Sequence, residues 1–304
     1  MRRLEDLTTE EINPAHSHID ELPVPELLRV MNEEERRVTA AVAAVLPDVA
    51  RAVELVVFAF RHGGRLFYVG AGTSGRLGAL DASECPPTFS VSPELVQAII
   101  AGGPEALQRS IEGAEDSAAD GAEQITRAGV ASLDVVCGLS ASGGTPFVLG
   151  AMARARQLGA RTIGIAGNRP SEMEAVADVM ITPITGPEII SGSTRLKAGT
   201  AQKVILNMLS TAAMVRTGKV YGNLMVDVRP VSRKLVDRAQ RIIRVAAGVD
   251  EARARELFDQ SGGRPKVAIV MHRRGCSAED AERLLARSGG FVKAALADTP
   301  PSGG

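Results

Sequence analysis

Two short turns set hydroxyls beside glycine: Gly72-Thr73-Ser74-Gly75 and Ser140-Ala141-Ser142-Gly143-Gly144-Thr145. Each follows an apolar run and opens a helical pattern. Backbone N–H groups at a helix start lack partners inside the helix, and the helix dipole favours an anion there. Serine and threonine add neutral donors for phosphate oxygens and for hydroxyl groups. Two such turns suit one phosphate on a polyhydroxy ligand. Helix capping is the plain alternative, because these residues are ordinary caps. Gly70, Gly72 and Gly75 also match G-x-G-x-x-G to the letter. That dinucleotide fingerprint needs an acid about 20 residues further on, at the end of a second strand. Glu94 lies near that distance but precedes its apolar run, so the fingerprint is incomplete. The sequence holds no G-x-x-x-x-G-K-[ST], which argues against a P-loop nucleotide site.

Candidate acids stand near the first turn. Glu84 follows Leu77 and Leu80 at helical spacing, on an apolar stripe if the helix continues. Burial there would raise a carboxyl pKa, as a general acid requires; a solvated glutamate is the alternative. Cys85 precedes Pro86-Pro87, which predicts a helix end close by. A continuous helix from Ser74 to Glu84 would rise roughly 15 Å, more than one hexose phosphate bridges along a straight axis. Either the helix breaks early, or Glu84 serves a site shared with another subunit. Glu112, Glu115, Asp116 and Asp120 form a second acidic group. Spacing does not choose among them, and a solvated helix face also explains them. Lys197 and Lys203, with Arg195, open a long helical pattern and could meet an anion or merely solvate a helix start.

The elements that must position these residues alternate. Residues 1–23 are polar and read as an extended arm. Helical periodicity follows, with Pro25 suited to a first turn, Pro47 as a break and Gly63-Gly64 as a close. "RLFYVG", "ELVQAII", "DVVCGLS", "RTIGIAG" and "DVMITPI" read as strands, with helices between them. Gly113 and Gly121 are expected to interrupt the helical stretch after Pro104. The alternation predicts an α/β fold, with a doubly wound, mainly parallel sheet flanked by helices. Beyond Lys219 the strand signals stop. Three short helices follow, with Asp250 and Ser277 as plausible N-caps, and residues 266–271 as strand or buried helix. The expected organisation is an N-terminal arm and helices over 1–56, an α/β binding domain over 57–220 and a small helical domain over 232–298. The closing "DTPPSGG" reads as a frayed tail.

Composition narrows the function classes. A chain of 304 residues can bury a sizeable core. Aromatics are only 3%, so that core must be aliphatic, which favours helices on a parallel sheet. A net charge of -1 gives no nucleic-acid footprint, and no run of 18 apolar residues suggests a membrane span. "MRRLEDLTTEE" turns acidic at once, unlike a signal peptide, so a cytoplasmic protein is expected. Three cysteines without C-x-x-C and four scattered histidines predict neither a disulfide framework nor a metal site.

"GAGTSGRLGALDASECPPTF", "EGAEDS", "SASGGTPFV", "SGSTRLKAGTAQK" and "GNLMVDV" together resemble the N-acetylmuramic acid 6-phosphate etherases, a family of the sugar isomerase (SIS) fold. The resemblance covers nearly the whole chain. It implies a cofactor-free lyase that releases D-lactate from C3 of the 6-phosphorylated sugar, in cell-wall amino sugar recycling. It also implies a homodimer. By the resemblance Glu84 and Glu115 are the acid/base pair, while the turns cradle phosphate and sugar through Thr73, Ser74, Ser140, Ser142 and Thr145; Gly72 and Gly143 of the same turns are candidate ligands beside them. Lys197 is added as a candidate ligand. The family pattern in the second turn is A-S-G-R-T-P, and here Gly144 replaces the arginine. Alternatives on the same fold are a sugar-phosphate isomerase or a non-catalytic sugar-phosphate-sensing regulator. A nicotinamide enzyme is more distant.

Overall fold

In the computed structural model, which describes residues 7–297, five strands form one parallel sheet. They are β1 (Leu66–Gly70), β2 (Val96–Ile100), β3 (Val135–Ser140), β4 (Arg161–Ala166) and β5 (Val179–Ile181). Their order is β2-β1-β3-β4-β5. Leu66 of β1 is in register with Val96 on one side and Val135 on the other. All of β1 and β3 is buried, as expected for strands covered by helices on both faces.

Two helices precede the sheet, α1 (Val24–Ala44) and α2 (Leu46–Arg61), with Pro47 in the first turn of α2. The crossovers carry α3 (Gly72–Phe89), α4 (Ala118–Arg127) and α5 (Pro146–Gln157), and α6 (Lys197–Arg216) follows β5. Alternate side chains of β1 point to opposite faces. Phe67 and Val69 pack with Val136, Ile125 of α4, and Phe147, Val148 and Met152 of α5. Tyr68 turns the other way and donates to Asp81 of α3 at 2.9 Å.

Several local readings change. Helix α3 passes through Pro86 and Pro87 and ends at Phe89 rather than near Cys85. Two backbone donors are lost, but Ser90 N still bonds Pro86 O at 3.0 Å, and Phe89 and Val91 are buried. Gly121 lies inside α4 instead of interrupting it, and Gly113 precedes a single 3-10 turn, Ala114–Asp116. The arm carries two 3-10 turns, Pro14–His16 and Ile19–Glu21, and buries Thr9 and Asn13. Its first six residues and the tail "DTPPSGG" lie outside the described residues.

The chain divides into two compact units. The first holds the sheet, α1, α2 and most of α3 and α6. The second takes Glu84–Ser92 and the chain from Thr211 onward. It contains α7 (Arg233–Ala247), α8 (Glu251–Gln260), α9 (Pro265–Arg274), α10 (Ala278–Arg287) and α11 (Val292–Ala297). The ambiguous apolar run at residues 266–271 is helix, within α9. Ser232, Asp250 and Ser277 cap their helices through side-chain oxygens. The core joins Val226, Ile242, Ile269, Val270 and Leu285. Among the described residues, no helix is long and apolar enough to cross a membrane.

Candidate active site

The three fingerprint glycines are explained by backbone packing. A side chain on Gly70 would sit 2.7 Å from Gly75 N, and one on Gly75 would meet Ile100 Cγ1 at 2.6 Å. Gly72 has φ +51°, which favours glycine. The glycines therefore let α3 start hard against the end of β1. The second turn follows β3. The strand order reverses between β1 and β3, and in open parallel sheets that switch point, beyond the carboxyl ends of the strands, is where ligands bind.

A cavity of about 480 Å³ opens there, within the usual size for a small-molecule site. Gly72, Thr73, Ser74, Ser140, Ser142, Gly143 and Thr145 all line it, so the structure gathers the predicted turn residues in one place. The hydroxyls are organised. Ser140 Oγ lies 2.8 Å from Thr145 Oγ1 and 3.2 Å from Ser142 Oγ, and accepts from Gly143 N at 3.0 Å. Ser142 Oγ accepts from Gly144 N at 3.2 Å. Ser74 donates to Gln202 at 2.8 Å. No side chain caps α5, although Thr145 stands at its N-cap; Thr145 instead faces Ser140. The start of α5 is thus left without a side-chain cap, which suits an anion.

Glu115 and Asp116, on the 3-10 turn before α4, line the same cavity, so the structure selects these two from the acidic group. Glu112 and Asp120 are not among the lining residues. Glu10 and Leu7 of the arm, Glu172 and Thr194 also line it, and sequence reasoning did not single these out. No local pattern marks them; only the chain path brings residues 7–10, 172 and 194 to the switch point. No lysine or arginine lines this cavity among the described residues.

Lys197 is not at the cavity. Its side chain is buried, pairs with Glu34 of α1 at 2.5 Å and donates to Pro187 O at 2.6 Å. Glu188, fully buried, accepts from the backbone N of Lys197 and Ala198 at 3.0 and 2.9 Å. The start of α6 is therefore already occupied by the chain's own carboxylate. Burial pushes the Glu188 carboxyl upward, against those two N–H bonds. Lys203 pairs with Asp81, whose carboxyl burial also pushes up. Glu84 is exposed on α3, belongs to the second unit, and is not among the residues lining the cavity.

A parallel α/β sheet with a hydroxyl-lined cavity at its switch point fits a SIS-type protein. The model of the glucokinase regulatory protein N-terminal SIS domain matches residues 48–156. Among solved structures, the phosphoheptose isomerase of Neisseria gonorrhoeae overlays with a TM-score of 0.47 at 17% identity, covering 63% of this chain and 98% of that one. The N-acetylmuramic acid 6-phosphate etherase of Rhizobium rhizogenes is 52% identical over 96% of this chain and 95% of its own length. That of Mycolicibacterium smegmatis is 50% identical over 96% and 98%. The chain belongs to the N-acetylmuramic acid 6-phosphate etherase family.

Proposed function

We infer that this chain cleaves the D-lactyl ether of N-acetylmuramic acid 6-phosphate to N-acetylglucosamine 6-phosphate and D-lactate, in cell-wall amino sugar recycling. Full-length identity of about half to etherases supports the activity. The observation that carries the site is the convergence of both hydroxyl turns with Glu115 in one cavity. In this reading the 6-phosphate sits at the starts of α3 and α5, and the turn hydroxyls, with Gly72 and Gly143, hold phosphate and sugar.

The reaction proceeds by elimination and hydration. With the sugar open, the C1 aldehyde acidifies the C2 proton. A base removes that proton, the C3–O bond breaks, and an acid protonates the departing lactate oxygen. Water then adds at C3 of the unsaturated aldehyde. Two carboxylates can exchange the acid and base roles. Glu84 is the proton donor to lactate and Glu115 the other acid/base residue. Because α3 is unbroken and Glu84 faces solvent, the early-break solution to its distance from Ser74 falls away. We therefore favour a cytoplasmic homodimer in which Glu84 of one copy serves the cavity of the other. Gly144 leaves the cavity without the arginine of the family pattern, so the substrate's charge is met by backbone and hydroxyl donors. Glu84→Gln should cut lactate release about 10²- to 10⁴-fold; a near-normal rate would remove Glu84 from the mechanism.

A further inference from the structure

The N-terminal arm has no part in the chemistry above, yet it is built into the cavity. Thr9 is only 1% exposed, although the segment around it is polar. Asn168, also 1% exposed, accepts from Thr9 N at 3.3 Å and donates to Thr9 Oγ1 at 3.0 Å. The same Asn168 amide donates to Ala141 O at 2.9 Å, inside the second hydroxyl turn. One buried side chain thus ties the arm to the turn. A residue further on, Ser191 donates to Glu10 O at 2.9 Å. Glu10 is placed against the loop that leads to Thr194. A side chain on Gly192, at φ +73°, would lie 2.8 Å from Glu10 Oε2, so the bare glycine leaves room for the carboxylate.

We propose that residues 7–10 form a wall of the sugar-phosphate cavity through Leu7 and Glu10, and that Glu10 is a specificity-determining residue whose carboxylate accepts hydrogen bonds from sugar hydroxyls. Asn168 is the positioning residue that holds this wall on the turn. The inference rests on reading the cavity as the sugar-phosphate site. A carboxylate suits hydroxyl donors and disfavours phosphate. It therefore selects the sugar and directs the phosphate toward the helix starts.

The test is calorimetric binding of N-acetylglucosamine 6-phosphate and of inorganic phosphate to wild type, Glu10→Ala, Glu10→Gln and Ser142→Ala. Glu10→Ala should weaken the sugar phosphate about tenfold or more, as for loss of a charged hydrogen-bond partner. Inorganic phosphate should bind it no more weakly than wild type. Glu10→Gln keeps a carbonyl acceptor and should restore affinity to within about threefold of wild type. Ser142→Ala should weaken both ligands. In turnover, Glu10→Ala should raise KM with little change in kcat. Wild-type sugar-phosphate affinity in Glu10→Ala, with loss in Ser142→Ala, overturns the role of Glu10 and leaves the cavity reading intact. Wild-type affinity in both variants overturns the cavity reading and the proposal together. A parallel fall in inorganic phosphate affinity in Glu10→Ala also contradicts it.

Discussion

Lys197 and Glu34 neutralise each other inside the protein, with His16 3.1 Å from the same carboxylate. Removing one partner of a buried pair leaves an uncompensated charge. Lys197→Ala should therefore cost about 3–5 kcal/mol in urea unfolding, with KM of the folded enzyme unchanged. A raised KM at full stability would return Lys197 to the ligand. Burial pulls the Glu34 carboxyl upward, but hydrogen bonds from Lys197 and His16 and the charges of Lys197 and Arg37 together hold it below its ordinary value of 4.5. A lowered folded pKa means that ionised Glu34 stabilises the fold above 4.5 and loses that contribution as pH falls through the lowered value. The stability gap between wild type and Glu34→Gln should thus be widest near neutrality and shrink below 4.5. The turn hydroxyls were legible in sequence, because their chemistry and their helix starts are local. Lys197 was not, because its partner lies 163 residues away. Glu10 escaped notice for the same reason: its neighbours at Gly192 and Thr194 are distant in the chain.

Each element was readable where periodicity and glycine agreed. All five strands fall within the apolar runs that predict them, and their parallel pairing follows from the helices between them. What failed was punctuation. Pro86 and Pro87 do not end α3, and Gly121 does not interrupt α4, because packing outweighs local preference. The glycine fingerprint is a packing device here. Gly75→Ala would place a methyl 2.8 Å from Gly70 O and 2.6 Å from Ile100 Cγ1, so it should destabilise the protein by about 1–3 kcal/mol in thermal unfolding. No loss of stability would mean that β1 and α3 are less closely joined. At the cavity wall, Gly192→Ala should push the Glu10 carboxylate aside and reproduce the KM effect of Glu10→Ala.

For the whole molecule, the proposed sharing of one site by Glu84 of one copy and Glu115 of the other is tested by mixing variants. Glu84→Gln and Glu115→Gln proteins, unfolded together and refolded, should regain activity. A mixed dimer keeps one intact site of two, so about a quarter of wild-type rate is expected. No recovery would mean that both glutamates act from the same chain. The sequence could pose this question through the length of α3 but could not answer it, because periodicity along one chain carries no information about a second. The most direct test is incubation of the enzyme with N-acetylmuramic acid 6-phosphate in heavy-oxygen water. Elimination followed by hydration predicts D-lactate without label and N-acetylglucosamine 6-phosphate carrying heavy oxygen at C3. Label in the lactate, or no lactate release, would contradict it.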